Sequence, residues 1–111
     1  MEHIDHILVV DDDASLAEML TIVLRNEGFD TAVVGDGTQA LTAVRELRPD
    51  LVLLDLGLPD AQGLDALQRL REALEWVPVI VVSADERPAT VLACLEGGAA
   101  GLVAIGAQGD D

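Results

Sequence analysis

Two kinds of stretch alternate along the chain. Short apolar runs occupy Ile7 to Val10, Thr31 to Val34, Leu51 to Leu54, Pro78 to Val82 and Leu102 to Ile105. All have the length of a strand, and four of the five are apolar throughout or nearly so, which suits strands buried on both faces of a parallel sheet. Between them, apolar residues recur at helical spacing. After Asp13, placed as an N-cap, Leu16, Leu20, Val23 and Leu24 form a stripe that Gly28 ends. After Asp36 come Ala40, Leu41, Val44 and Leu47, stopped by Pro49. Leu64, Leu67, Leu70 and Leu74 make a third stripe; Val91, Leu92 and Leu95 make a fourth, with Pro88 in the first turn and Gly97–Gly98 at the exit.

Strand and helix thus follow one another with short connections, a (βα)₄β order. Parallel strands need crossover helices, and right-handed crossovers place helices on both faces of one sheet. The predicted fold is a doubly wound α/β domain with a five-stranded parallel sheet, spanning residues 1–111 as one unit. Its core is aliphatic, with Phe29 and Trp76 as the aromatics.

Charge narrows the partners. The formal net charge is −15, from 21 acidic residues against six basic ones, and all six are arginine. Such a surface repels nucleic acid and anionic membranes, so direct binding to either is not expected. Most of the carboxylates read as solvated surface. Cys94 has no second cysteine to pair with and lies in an apolar helical pattern, where a small core residue is expected. The opening MEHIDHILVV has neither a basic leader nor a long apolar run, which points to the cytoplasm. His3 and His6 alone make a poor metal site and read as a solvated segment.

Open parallel sheets bind ligands beyond the carboxyl ends of their strands. Asp11, Asp12 and Asp13 follow the first strand, Asp55 the third, and Ser83, Ala84 and Asp85 the fourth. Carboxylates converging at one rim repel unless a cation neutralises them, and hard divalent ions with oxygen ligands do so. Asp13 fits a helix cap better than a ligand. For Asp11, Asp12 and Asp55, spacing leaves a metal site and ordinary loop charges equally open.

A resemblance adds to this. Ile7 to Asp13 resembles the opening of response-regulator receiver domains, as does Pro49 to Asp60 with Gly63 following. Val79 to Ala84 and Leu95 to Gly101 are similar to further segments of the same family. The likeness runs from about Ile7 to Val103. It implies a flavodoxin-like sheet of order 2-1-3-4-5 and a phosphoryl acceptor at Asp55. It also implies Mg²⁺ organised by Asp11, Asp12, Asp55 and the Gly57 carbonyl, with the Ser83 hydroxyl contacting the phosphoryl group. A histidine kinase is the implied donor, and the chemistry is self-catalysed transfer and dephosphorylation, not enzymatic turnover. The half ending at Asp55 resembles receivers joined to winged-helix outputs. The half from Pro78 to Gly101 resembles those joined to LuxR-type outputs, as a recombined or engineered chain would.

The chain departs from the family in three places. Where receivers carry lysine then proline after the fifth strand, Ile105 and Gly106 stand, and there is no lysine elsewhere to substitute. A charge-assisted contact of that kind is worth about 1.5–3 kcal/mol, roughly tenfold to a hundredfold in an equilibrium. Arg87 reads as a surface residue. Leu102 stands where the family has a switch aromatic, which predicts blunted switching. Ala104 to Asp111 is too short and glycine-rich for a fifth helix. Losing the cover of about 300–400 Å² of apolar surface would cost on the order of 8–10 kcal/mol as an upper bound, so self-association is expected.

Two functional classes follow: a phosphoryl-accepting signalling module with impaired switching, or a degenerate or engineered receiver acting as a phosphorylation-independent dimerisation or interaction module. An aspartyl-phosphate phosphatase is a weaker third, since the second acid it needs would be Asp60, in a turn.

Overall fold

A computed structural model describes residues 4–56, 63–73, 77–83 and 87–104. The elements run β1 (His6–Val10), α1 (Ala14–Asn26), β2 (Asp30–Val34), α2 (Gly37–Leu47), β3 (Leu51–Asp55), α3 (Gly63–Ala73), β4 (Val79–Ser83), α4 (Pro88–Glu96) and β5 (Gly101–Ala104). All four strand pairings are parallel, in the order β2-β1-β3-β4-β5. The parallel (βα)₄β sheet expected from the alternation and the order implied by the resemblance are both present, with strand ends shifted by a residue. Ile105, Leu74 and Trp76 lie outside the described residues.

Local signals act where they were expected. The Asp13 carboxylate caps α1, accepting from the Ser15 and Leu16 N–H groups at 2.9 and 3.2 Å. Asp36 caps α2 through the Gln39 N–H at 2.7 Å. Arg48 closes α2 in the left-handed conformation at φ 50°, and Pro49 prevents continuation. Pro88 opens α4.

The two sheet faces differ. Leu8, Val10, Val52, Leu54, Val79 and Val81 point to one face, where α2, α3 and α4 cover them to form the larger core. Ile7 and Val9 point to the other and pack with Ala17 of α1. Leu51 and Leu53 flank that smaller core, and register carries the same face on to Ile80. Cover thins in that direction. Ile7 and Val9 are buried, Leu53 and Ile80 half-buried, and Val103 of β5 is 49% exposed. Val82, close to the rim, stays buried.

One helix face differs from its sequence reading. In α4 the buried residue is Cys94, whereas Leu92 and Leu95 are exposed. The helix is apolar nearly all round, so its periodicity did not specify which side meets α3 and β5. Leu64 of α3 is likewise exposed while Leu67 and Leu70 are buried.

The turn after α4 carries a test of packing. Gly98 has φ +100°, and a Cβ there would meet Arg71 Cγ and Nε at 3.2 Å. Arg71 cannot easily give way, because its guanidinium donates to the Val77 carbonyl at 2.6 Å. Gly28 has a similar φ of +96° with nothing near its missing Cβ. Gly28→Ala should therefore cost only the left-handed backbone penalty, about 1–2 kcal/mol. Gly98→Ala should cost distinctly more, read as the difference in urea midpoints at constant slope.

Candidate functional site

The carboxyl ends of β1 and β3 lie side by side because Val10 pairs with Leu54. The next residue on each strand is an aspartate, so the register itself brings Asp11 against Asp55. Asp12 follows in the turn into α1. One carboxylate oxygen from each of Asp11, Asp12 and Asp55 falls within 4.8 Å of the others. Asp11 is buried, Asp55 half-buried and Asp12 exposed, so the group opens to solvent on one side.

Asp11 is the constrained member. Its N–H donates to the Val34 carbonyl at 3.0 Å, and its Oδ1 accepts from the Asp13 N–H at 2.8 Å. Burial pushes its carboxyl above the ordinary value of 3.8; the Asp13 N–H opposes this, while the carboxylates of Asp55, Asp13 and Asp12 add to the rise. Three acids held together at such a cost fit a hard cation. The donors are all carboxylate oxygens, a set that suits ions of the magnesium and calcium type and not soft metals.

Ser83 ends β4 at the same rim and is 4% exposed. Asp55 pairs with Val82, so Ser83 stands one residue further out on the neighbouring strand. Across the sheet Ser83 pairs with Ala104 of β5. The structure thus brings together Asp11, Asp12 and Asp55 and places Ser83 on the adjacent strand end. Gly57 and the positions of Asp60, Asp85, Ile105 and Gly106 lie outside the described residues. Arg87 is exposed at the N-terminal cap of α4.

Residues 7–104 match the response regulator receiver domain. The chain belongs to that family. Among curated proteins, this receiver is similar to the DNA-binding response regulator MtrA of Mycolicibacterium paratuberculosis, with 68% identity over 93 residues. That alignment covers 84% of this chain and 41% of MtrA, so the receiver spans well under half of its relative. Among solved structures it superposes on the Francisella response regulator 1452 receiver domain with a TM-score of 0.85 at 28% identity, covering 91% of this chain and 84% of that one. The BeF3-activated receiver domain of Klebsiella pneumoniae RstA gives 0.84 at 27% identity, covering 90% and 85%.

Sequence reading had assigned Asp13 to the helix cap alone. It missed that the Asp13 N–H also donates to the Asp11 carboxylate, because a backbone N–H donor two residues on leaves no residue-type signature beyond the accepting aspartate itself. No helix among the described residues is long and apolar enough to cross a membrane.

Proposed function

We propose that this receiver accepts one phosphoryl group on Asp55 from a phosphohistidine of a histidine kinase, with Mg²⁺ as its ion. The observation that carries the reading is the closure of three carboxylates from adjacent strand ends to within 4.8 Å. Asp11, Asp12, Asp55 and the Gly57 carbonyl would hold the ion, whose charge offsets that of the trio and of the incoming phosphoryl oxygens. The protein's own part is positioning. Asp55, fixed at the end of β3, supplies the nucleophilic oxygen; its bond to phosphorus forms as the phosphorus–nitrogen bond to the donor imidazole breaks. The Ser83 hydroxyl offers a hydrogen bond to the transferred group from β4. This is self-catalysed transfer and later hydrolysis, without turnover of an outside substrate. That the Klebsiella RstA receiver takes a BeF3-activated form supports the analogy.

Switching is weaker than transfer in this chain. It has no lysine to follow the phosphoryl charge. Leu102, partly buried against the larger core, has no ring to turn inward. The charge of −15 assigns any DNA contact of the kind named for MtrA to sequence outside these 111 residues. The compartment is the cytoplasm, where kinase and phosphodonor are found.

A second reading, an interaction module independent of phosphorylation, is favoured by the exposed apolar residues. Met19, Ile22 and Val23 are each 53% exposed on α1, and Val103 of β5 is 49% exposed. Self-association through such surfaces belongs to either reading.

The test is intact mass after incubation with acetyl phosphate. A gain of one phosphoryl group is expected with Mg²⁺ and not with a chelator, and Asp55→Asn should abolish it. A gain that persists in Asp55→Asn would sink the assignment. Sizing with beryllofluoride separates the second reading: an oligomer present throughout, in a chain that takes no phosphoryl group, would favour it.

A further inference from the structure

The backbone N–H, the backbone carbonyl and one carboxylate oxygen of Asp13 each make hydrogen bonds, though it is not a member of the acidic trio. Its carboxylate accepts from the Ser15 and Leu16 N–H groups, and its carbonyl accepts from the Ala17 N–H at 2.9 Å to begin α1. Its own N–H points backwards, onto Asp11 Oδ1 at 2.8 Å. Ala17, one turn on, is buried against Ile7 and Val9, so the start of α1 is seated on the same strand that delivers Asp11. Sheet, helix, cap and carboxylate form one closed loop of contacts. The Asp11 carboxylate is thus tied through one oxygen to the start of α1, and its backbone N–H to the Val34 carbonyl at the end of β2.

We infer that Asp13 is a positioning residue for the metal site: by capping α1 it fixes the backbone N–H that aims the Asp11 carboxylate. This rests on the metal reading above and deepens it. Without the cap, the first turn of α1 frays. The Asp13 N–H then no longer holds a fixed direction, and Asp11 must be ordered by the ion at the moment of binding. Groups that orient a ligand without touching the metal typically change affinity by about 10–100-fold when removed. The role belongs to the cap, not to the charge, since asparagine caps a helix about as well as aspartate.

Calorimetric titration of the whole chain with Mg²⁺ alone at pH 7, alongside thermal melting, tests this in four proteins. Asp13→Ala should weaken Mg²⁺ binding by about tenfold, whereas Asp13→Asn should stay within about threefold of the unaltered chain. Asp36→Ala removes the matching cap of α2, outside the trio; it should lower the melting temperature about as much as Asp13→Ala yet leave Mg²⁺ affinity unchanged. Unchanged affinity in Asp13→Ala would overturn the inference, as would equal losses in the alanine and asparagine variants or an equal loss in Asp36→Ala. An unaltered chain showing neither binding heat nor a Mg²⁺-dependent rise in melting temperature would instead overturn the metal reading, and Asp13's role with it.

Discussion

Asp11→Asn should make the metal-free protein more stable at neutral pH and at the same time abolish its response to Mg²⁺. Asparagine keeps the shape of the side chain and the oxygen that accepts from the Asp13 N–H, but removes a buried charge crowded by Asp55, Asp13 and Asp12. Because the folded carboxyl is raised above 3.8, the native state holds this proton more tightly than the unfolded chain does. Folding takes up a proton between the two values, so this contribution to stability is present at low pH and is lost as pH rises through the folded value. Above that window the chain carries a constant penalty that the variant lacks. Relief of functional strain of this kind commonly yields about 0.5–2 kcal/mol. For a domain of this size 1 kcal/mol is about 4–8 °C in melting temperature. Saturating Mg²⁺ should reverse the ranking, since an ion at a hundred times its Kd adds about 2.7 kcal/mol to the chain that binds it. Melting curves of both proteins at several pH values, with and without Mg²⁺, check the metal-free difference, its pH dependence and the reversal.

A second large effect is expected beneath the site. Leu54 is fully buried in the larger core, immediately before Asp55 on β3. Leu54→Ala should cost about 3–5 kcal/mol, the transfer term plus the cavity left behind, a large fraction of a stability of about 5–15 kcal/mol. Leu92→Ala and Leu95→Ala remove the same atoms from exposed positions of α4 and should lie within about 0.5 kcal/mol of the unaltered chain. Urea midpoints at constant slope would show the contrast. If the Leu92 or Leu95 variant also lost several kcal/mol, those residues would be buried in solution by a partner surface.

The strands were legible because parallel strands buried on both faces read as unbroken apolar runs and crossover helices leave their own period, whereas the sheet order was legible only through the family resemblance. The caps were legible for the same local reason: Asp13 and Asp36 stand just before helical stripes. What sequence left undecided depended on tertiary contact. In α4 the choice between Cys94 and its leucine neighbours is set by what α3 and β5 present, and a helix apolar on most sides does not encode that. At the site, spacing along the chain allowed Asp11, Asp12 and Asp55 to be either ligands or loop charges. The pairing of Val10 with Leu54 is what brings them together, and that register is a property of the whole sheet. The grip of Asp13 on Asp11 was invisible because its donor is backbone.

The partly covered face beside α1 has a physical meaning of its own. Exposure rises from Ile7 and Val9 through Leu53 and Ile80 to Val103, and among the described residues α1 is the helix packed on that face. Met19, Ile22 and Val23 of α1 are also exposed. Any segment or partner that covered both would protect strand residues and helix residues together.

The central claim is that Asp55 is the phosphoryl acceptor although the chain has no lysine. Its most direct test is to phosphorylate the chain with acetyl phosphate and Mg²⁺, reduce it with borohydride, which converts an aspartyl phosphate to homoserine, and map the product by peptide mass spectrometry. The account predicts homoserine at position 55 alone. Homoserine at position 11 or 12, or none under conditions where Mg²⁺ binds, would contradict it.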